Sequence, residues 1–294
     1  LALQSETLGT TWTPTTLTVT ANTLVAPSGA TTADTLTATA GNATLLQSIT
    51  SASATRTFQI WLKRKTGSGN IDLTVDNGAT WTTKVIDTTW ARYEISQAAV
   101  TNPVVGIRIV TNGDEVYAWG GQLESNPMAT SYIPTTTATV TRNADVLTFP
   151  NADNVSNTAG TVIMDVTPAF DIPSSSTAGY GKNWLIDFDS GIGLYVESNL
   201  LKFTDGTNTA TLAWIPLKGI TYKIAAKWGS AGLKVFVNGV AGSLTSFDGS
   251  INSTTNMTNG GNGSGTTFNF GGTIKNLKIY KKALSDAQIT SLTT

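Results

Sequence analysis

The chain has 294 residues, a net charge of −1 and charged side chains at only 13% of its positions. That near-neutrality excludes bulk attraction to nucleic acid or to an anionic membrane surface, and no apolar run reaches the length of a membrane span. Without cysteine or histidine, the chain can form no disulfide, no Ser–His or Cys–His catalytic pair and none of the usual zinc sites.

Its length allows one large or two medium domains. Abundant Thr, Ser, Asn and Gly favour strands and the turns between them. No signal peptide is legible, and a start at Leu1 rather than Met reads as a fragment or processed product.

From Thr11 to about Leu123 the pattern is short alternating runs. LTVTA (17–21), TFQIWLKRK (57–65), IDLTVDN (71–77), TWTTKVID (80–87), WARYEIS (90–96), VVGIRIVT (104–111) and EVYAWGGQLE (115–124) read as strands. The Gly-Ser-Gly at 67–69 separates two of them, and Asn77-Gly78 and Asn112-Gly113 read as hairpin-type turns. Seven or more strands at this spacing predict an antiparallel sandwich. Tyr117, Trp119 and Leu123 fall on one face of the last strand, and Gly120-Gly121 permits a bulge or close backbone approach.

Between Glu124 and Gly160 the composition shifts to Pro127, Pro134, a threonine run and Pro150, which reads as a connector. Within it TATVTRNADVLTFP (137–150) keeps strand character. Tyr132-Ile133 is placed to anchor the connector on the domain just left. The expected division is 1–136 and 137–294.

The second half repeats the β pattern through GTVIMDVTP (160–168), NWLIDFDS (183–190), IGLYVES (192–198), LLKFTDG (200–206), TATLAWIP (209–216), TYKIAAKW (221–228), LKVFVNGV (233–240), TTFNFGG (266–272) and TIKNLKIYKK (273–282). Asn238-Gly239 is a strong hairpin turn, and residues 248–265 read as a polar surface loop. One helix is expected at 283–292, with Ser285 and Gln288 in capping-box spacing and Leu284, Ile289 and Leu292 as its apolar stripe. The fold class is therefore all-β, with two β-sandwich domains in tandem and a short C-terminal helix.

Several runs carry a resemblance. LQSETLGTTWT (3–13), TADTLTATA (32–40) and VYAWGGQLESNPMATSYIPT (116–135) resemble jelly-roll carbohydrate-binding modules of a variant frequent in phage tail and other virion proteins, and TVTRNADVLTF (139–149) resembles its exit. TYKIAAKW, LKVFVNGV and IKNLKIYKKALSDAQITSL resemble the laminin-G/concanavalin A-like lectin and glucanase sandwich. The resemblance implies glycan binding on a virion surface or in the extracellular space, with polysaccharide and other virion proteins as partners. It also fits homo-oligomeric display, without nucleic-acid binding or membrane insertion. Two further readings stand beside it: tandem binding modules of a secreted polysaccharide-degrading enzyme, and a purely structural virion module.

Glucanases of this fold carry alternating carboxylates on one strand. The nearest match is Asp187 and Asp189, two apart and so on one face, without flanking glutamates. The domain therefore reads as non-catalytic, the pair being a solvated face or a turn ligand.

A sugar site is read from strand parity. Phe58, Ile60 and Leu62 alternate toward a core, leaving Gln59 and Trp61 on the polar face, where so large an apolar group is unexpected. By the same parity Asp72, Arg92 and Arg108 lie opposite apolar residues, so Gln59, Trp61, Asp72, Arg92 and Arg108 are expected to line one polar groove. Aromatic planes stack on sugar C–H faces while amides and charges bond the hydroxyls. The competing reading packs Trp61 under a loop or against the second domain. Trp81, just past the Asn77-Gly78 turn, Gln122 on the last strand and Tyr180 in a Gly-rich loop are further candidate contacts. Trp12 is expected to plug the core and Trp90 to pack an edge.

The resemblance also implies one structural Ca²⁺, with Glu6 matching the first acidic ligand position. Gly120-Gly121 stands where an acidic pair is common on the last strand. Asn42, Asn154, Asn252, Asn256 and Asn262 match the N-glycosylation pattern, expected by chance in so Thr-rich a chain.

Overall fold

The computed structural model describes residues 1–142, 147–169, 182–189, 191–251, 256–261 and 270–294. The chain divides into two compact units, Leu1–Arg142 and Asn143–Thr294. Each is a sandwich of two antiparallel sheets.

In the first unit the strands are β1 (Thr13–Thr15), β2 (Leu17–Leu24), β3 (Ala33–Ala38), β4 (Ala43–Ser48), β5 (Ala54–Thr66), β6 (Ile71–Thr74), β7 (Thr82–Lys84), β8 (Ala91–Val100), β9 (Val104–Ile109) and β10 (Glu115–Glu124). They form one sheet in the order β1-β4-β9-β6-β7 and a second in the order β2-β3-β10-β5-β8. Alternation puts Leu45, Ile71, Leu73, Ile107 and Ile109 of the first sheet against Leu36, Phe58, Ile60, Leu62, Val116 and Leu123 of the second. Each buried side chain of this size is worth about 1.5–3 kcal/mol. Trp12, 3% exposed, fills the end of this core beside Phe58.

Two turns need their glycines. Asn77-Gly78, both at positive φ, closes the β6–β7 hairpin as expected. Gly67 lies so close to Asp114 that a Cβ there would fall 1.9 Å from its carboxylate. Asp114 accepts from the Gly69 amide at 2.7 Å and from Arg64 at 3.1 Å, clamping the Gly-Ser-Gly loop. Asn112-Gly113, read as a hairpin turn, instead joins β9 to β10, which belong to different sheets.

The Gly120-Gly121 pair makes a bulge. Trp119 lies opposite Trp61, and the next aligned pair is Gln122 with Gln59. Gly120 sits at φ +68°, and a Cβ on Gly121 would come 2.8 Å from the Trp12 indole. The extra residue changes the expected parity: Trp119 faces outward, whereas Leu123 turns into the core opposite Phe58.

The second unit has β11 (Leu147–Pro150), β12 (Gly160–Pro168), β13 (Asn183–Asp189), β14 (Ile192–Glu197), β15 (Leu200–Thr204), β16 (Thr209–Ala213), β17 (Tyr222–Trp228), β18 (Lys234–Val237), β19 (Val240–Ala241), β20 (Asn256–Asn259), β21 (Gly272–Tyr280) and α1 (Asp286–Thr293). Its sheets run β11-β20-β13-β14-β15-β16 and β19-β18-β17-β12-β21. Phe188 and Phe203 of the larger sheet meet Trp228 of the smaller, with centroids 5.4 and 5.6 Å apart. Gly160 faces Trp228 so closely that a Cβ would lie 2.1 Å from the indole.

The helix begins as the capping box predicts, Ser285 accepting from the Gln288 amide and Gln288 returning the bond. Leu284 and Ile289 pack on Ile163, Ala225 and Phe236. Leu292, assigned to the apolar stripe, is instead 40% exposed. Of residues 137–150 only Leu147–Pro150 forms a strand among the described residues. Part of the expected 248–265 loop is β20, inserted between β11 and β13.

Candidate functional site

The bulge and the parities decide where the candidate residues go, and they go to two faces rather than one groove. Gln59, Trp61, Arg92 and Gln122 lie on the outer face of the β2-β3-β10-β5-β8 sheet, whereas Asp72 and Arg108 lie on the outer face of the other sheet. The core separates the two groups. Sequence parity distinguishes inward from outward, but not which of two sheets a strand joins.

The first face is covered by residues 125–135. Glu124 accepts from the Thr130 amide at 2.9 Å and its hydroxyl at 2.6 Å. The Gln59 amide donates to Glu124 at 3.0 Å, and Arg92 donates to the Thr130 carbonyl. Gln122 donates to Glu124 and accepts from the Ile133 amide, both at 2.8 Å. Tyr132 packs on Trp119 with the ring centroids 4.5 Å apart and the planes tilted by 52°, and belongs with Trp61, Trp90, Leu24, Ala26 and Ala33 to one apolar cluster. Gln59 is 1% and Gln122 8% exposed. These residues therefore do not line an open groove; they receive the chain as it leaves β10. Burial lowers the Arg92 pKa, with Glu94 and Glu124 acting in the opposite direction.

Glu6 is part of the same seal. Its carboxylate accepts from the Tyr132 hydroxyl at 3.0 Å, and that hydroxyl also meets Ser5 at 2.7 Å. Burial, more than the nearby Glu6 charge, pushes the Tyr132 phenol far above its ordinary value. Among the described residues no group of three or more acidic side chains is placed to hold a metal ion. One carboxylate with an oxygen already engaged falls short of the six to eight oxygens calcium takes, and Gly121 is packed on Trp12 where a second acidic ligand was sought.

The second face is open. Cross-strand register runs Thr15–Thr44–Arg108–Asp72–Thr83, one polar row across all five strands. Asp72, 2% exposed, accepts from Arg108 Nε at 2.9 Å and Nη2 at 2.6 Å, and from the Thr83 hydroxyl at 2.7 Å. Arg108 Nη1 is left without a protein partner among the described residues. The guanidinium lies over the Trp81 indole, 4.5 Å from the ring centroid. Trp81 is half-buried, its plane also fixed by Gly78, where a Cβ would come 2.8 Å from the ring. Thr15 and Thr83 are exposed and Thr44 half-exposed. Beside them Asp76 accepts from the Thr80 amide, the Thr74 hydroxyl and the Gln97 amide, holding the loop that carries Trp81. Nothing in single-strand parity marked Thr15, Thr44 or Thr83, because only pairing aligns them.

In the second unit Asp187 and Asp189 do not share a face. A register shift puts them opposite Gly193 and Ile192, consecutive residues that point opposite ways. Asp187 is 1% exposed and accepts from the Gly191 amide, the bond of a turn ligand. Glu197 pairs with Lys202 at 2.8 Å. Trp184, Trp214 and Trp228 are buried. Tyr180 lies outside the described residues.

Together these observations define an all-β protein of two jelly-roll sandwiches, a class of architecture used by lectin and viral capsid domains. Residues 141–290, just over half of the chain, match the family model of the concanavalin A-like lectin/glucanases superfamily. The chain belongs to that superfamily. No curated protein matches it. Among solved structures it is similar to the N-terminal CBM22-1-CBM22-2 tandem domain of Paenibacillus barcinonensis Xyn10C, at 10% identity and TM-score 0.30 over 93% of each chain. It is also similar to domains LG4-5 of the mouse laminin alpha1 chain, at 12% identity and TM-score 0.31 over 84% of this chain and 90% of that one. A Trypanosoma rangeli sialidase matches at 17% identity and TM-score 0.36 over 46% of this chain, which spans only 22% of the sialidase. None of these likenesses is close enough in geometry to carry a function across.

Proposed function

We propose that the chain is a non-catalytic carbohydrate-binding segment, serving adhesion to cell-surface polysaccharide as part of a virion tail or surface fibre. The observation that carries the binding reading is the open polar row Thr15–Thr44–Arg108–Asp72–Thr83 beside the half-exposed Trp81. A shallow face of hydroxyls with one free guanidinium donor and an indole suits a neutral, hydroxyl-rich ligand. Membership of a lectin-containing superfamily supports the same reading for the second unit. The virion setting rests on the jelly-roll resemblance of residues 3–13 and 116–135, and multivalent display there would raise the avidity of a weak single site.

Affinity electrophoresis through gels containing neutral polysaccharides tests the site. Retention by at least one polysaccharide, lost in Trp81→Ala and Arg108→Ala but kept in Trp61→Phe, is the expected result. No retention on any polysaccharide would leave an architectural module. The non-catalytic part is tested by incubating the chain with β-glucans: new reducing ends that disappear in Asp187→Asn would make it an enzyme. A structural Ca²⁺ with Glu6 as one ligand is part of the proposal, and its test is whether the ion raises the Tm in a chelator-reversible way that Glu6→Gln abolishes.

A further inference from the structure

Edge strand β21 and the bend that follows it carry a second, chemically different surface. Four of the chain's 18 basic residues, Lys275, Lys278, Lys281 and Lys282, fall within eight positions, and all four are exposed. Residues three apart on a regular strand face opposite ways. Here Asn276, at φ +53°, introduces a bulge, and the register jumps so that Lys275 lies opposite Asp165 and Lys278 opposite Ile163. Since Asp165 and Ile163 are two apart, the bulge brings both lysines to the same outer face of the sheet.

Lys227 and Lys234, on neighbouring strands of the same sheet, both pair with Asp286 at the start of α1. None of these four lysines, two on β21 and two just after it, makes an ion pair among the described residues. Asp165, the nearest carboxylate by register, instead accepts from the Asn276 amide at 2.6 Å. The result is a cluster of four exposed ammonium groups, Lys275 and Lys278 on the outer face of β21 and Lys281 and Lys282 in the bend that follows.

We infer that this cluster binds a polyanionic polysaccharide, such as a polyuronate, at a site separate from the neutral row of the first unit. Clustered ammonium point charges match a polymer that carries one carboxylate on each sugar. A uronate chain suits them better than nucleic acid, because the cluster has no arginine to grip phosphate bidentately, and the unit belongs to a lectin-containing superfamily. The inference extends the glycan-binding proposal but does not need its site. Lysines on an edge strand also discourage pairing with a second sheet, and that role predicts no ligand.

The experiment is affinity electrophoresis of the full chain in polygalacturonate and in uncharged dextran gels, at low salt and at 0.5 M NaCl, a concentration of about the strength that screens exposed charges. Retardation is expected in polygalacturonate alone, relieved by salt. The Lys275→Gln/Lys278→Gln and Lys281→Gln/Lys282→Gln pairs should each weaken it several-fold and the quadruple variant abolish it, while the four Arg replacements keep it. Circular dichroism melts confirm that the exposed substitutions fold. Trp81→Ala should leave this retardation unchanged, so loss of the neutral site and loss of the anionic site are read separately. Equal retardation of the quadruple variant would overturn the inference. So would failure of polygalacturonate to compete with bound double-stranded DNA, or self-association of the quadruple variant with no polyanion binding by the wild type.

Discussion

On one outer face of the first unit, Trp61, Gln59 and Arg92 lie beneath residues 125–135; on the other, Trp81 and Arg108 are half-exposed above the buried Asp72. The residue types are nearly the same. What differs is where the chain goes next. β10 sits in the middle of its sheet, and the chain leaving it turns back across that sheet, so Glu124, Thr130 and Tyr132 satisfy its polar groups. Among the described residues no such return crosses the polar row, whose Asp72 and Arg108 pair with each other and leave Arg108 Nη1 without a partner. An aromatic-polar face becomes a ligand surface only when the chain does not close it.

The largest test is made on the closed face. Trp119→Ala removes an indole 4% exposed, packed against Tyr132 and donating to Thr32 at 2.9 Å. It should cost about 3–5 kcal/mol, read as a lower Tm, with retention on neutral glycan unchanged below the transition. If it abolishes binding and spares stability, the two faces have been assigned the wrong way round.

Asp72→Ala probes the open face at its root. The Arg108 side chain is 26% exposed, so the unpaired guanidinium recovers some water, and the loss should be about 2 kcal/mol rather than the 3–5 of a fully buried pair. Glycan retention should fall with it, because Arg108 loses the carboxylate that holds it over Trp81. Trp81→Ala is smaller again in stability, within about 1 kcal/mol, yet should weaken retention at least about tenfold, or about 1.4 kcal/mol. Denaturant melts and gel mobility measured on the same samples separate the two effects.

Much of the fold was legible because alternation is a local signal. Phe58, Ile60 and Leu62 declare the core face of β5, and Ser285 with Gln288 declares the helix start. Strands β3 and β4, in runs such as ADTLTA and ATLLQS, were not read as strands, since threonine, serine and alanine blur the contrast between faces. β20 was hidden in a polar stretch because its place depends on partners more than 60 residues away, β11 and β13. The candidate site was legible only residue by residue. Asp72, Trp81 and Arg108 were identified as outward-facing or exposed, but the division into two sheets, the row through Thr15, Thr44 and Thr83, and the seal over Trp61 all arise from long-range pairing. The bulges at Gly120-Gly121 and between Asp187 and Asp189 each reversed a parity assumed to run unbroken.

The finest test compares two carboxylates, one in each sheet's territory. Asp34, 1% exposed on β3, accepts from the Leu8 and Asn22 amides, yet burial outweighs those bonds and raises its pKa. Burial also raises Asp76, but the bonds from Thr80, Thr74 and Gln97 outweigh it and hold this carboxyl below the usual range. The linkage signs are opposite. Asp76, depressed in the folded state, contributes stability that is complete above the unfolded value of about 3.9 and is lost as pH falls through the folded value. Asp34, raised in the folded state, gains stability as pH falls through its folded value, and the gain is complete below about 3.9. Between pH 6 and pH 3 the Tm of Asp76→Asn should therefore fall less than that of the wild type, and the Tm of Asp34→Asn should fall more. A shallower fall in Asp34→Asn would mean that the Leu8 and Asn22 amides dominate after all, and that the buried carboxylate on the closed side behaves like the half-buried one on the open side.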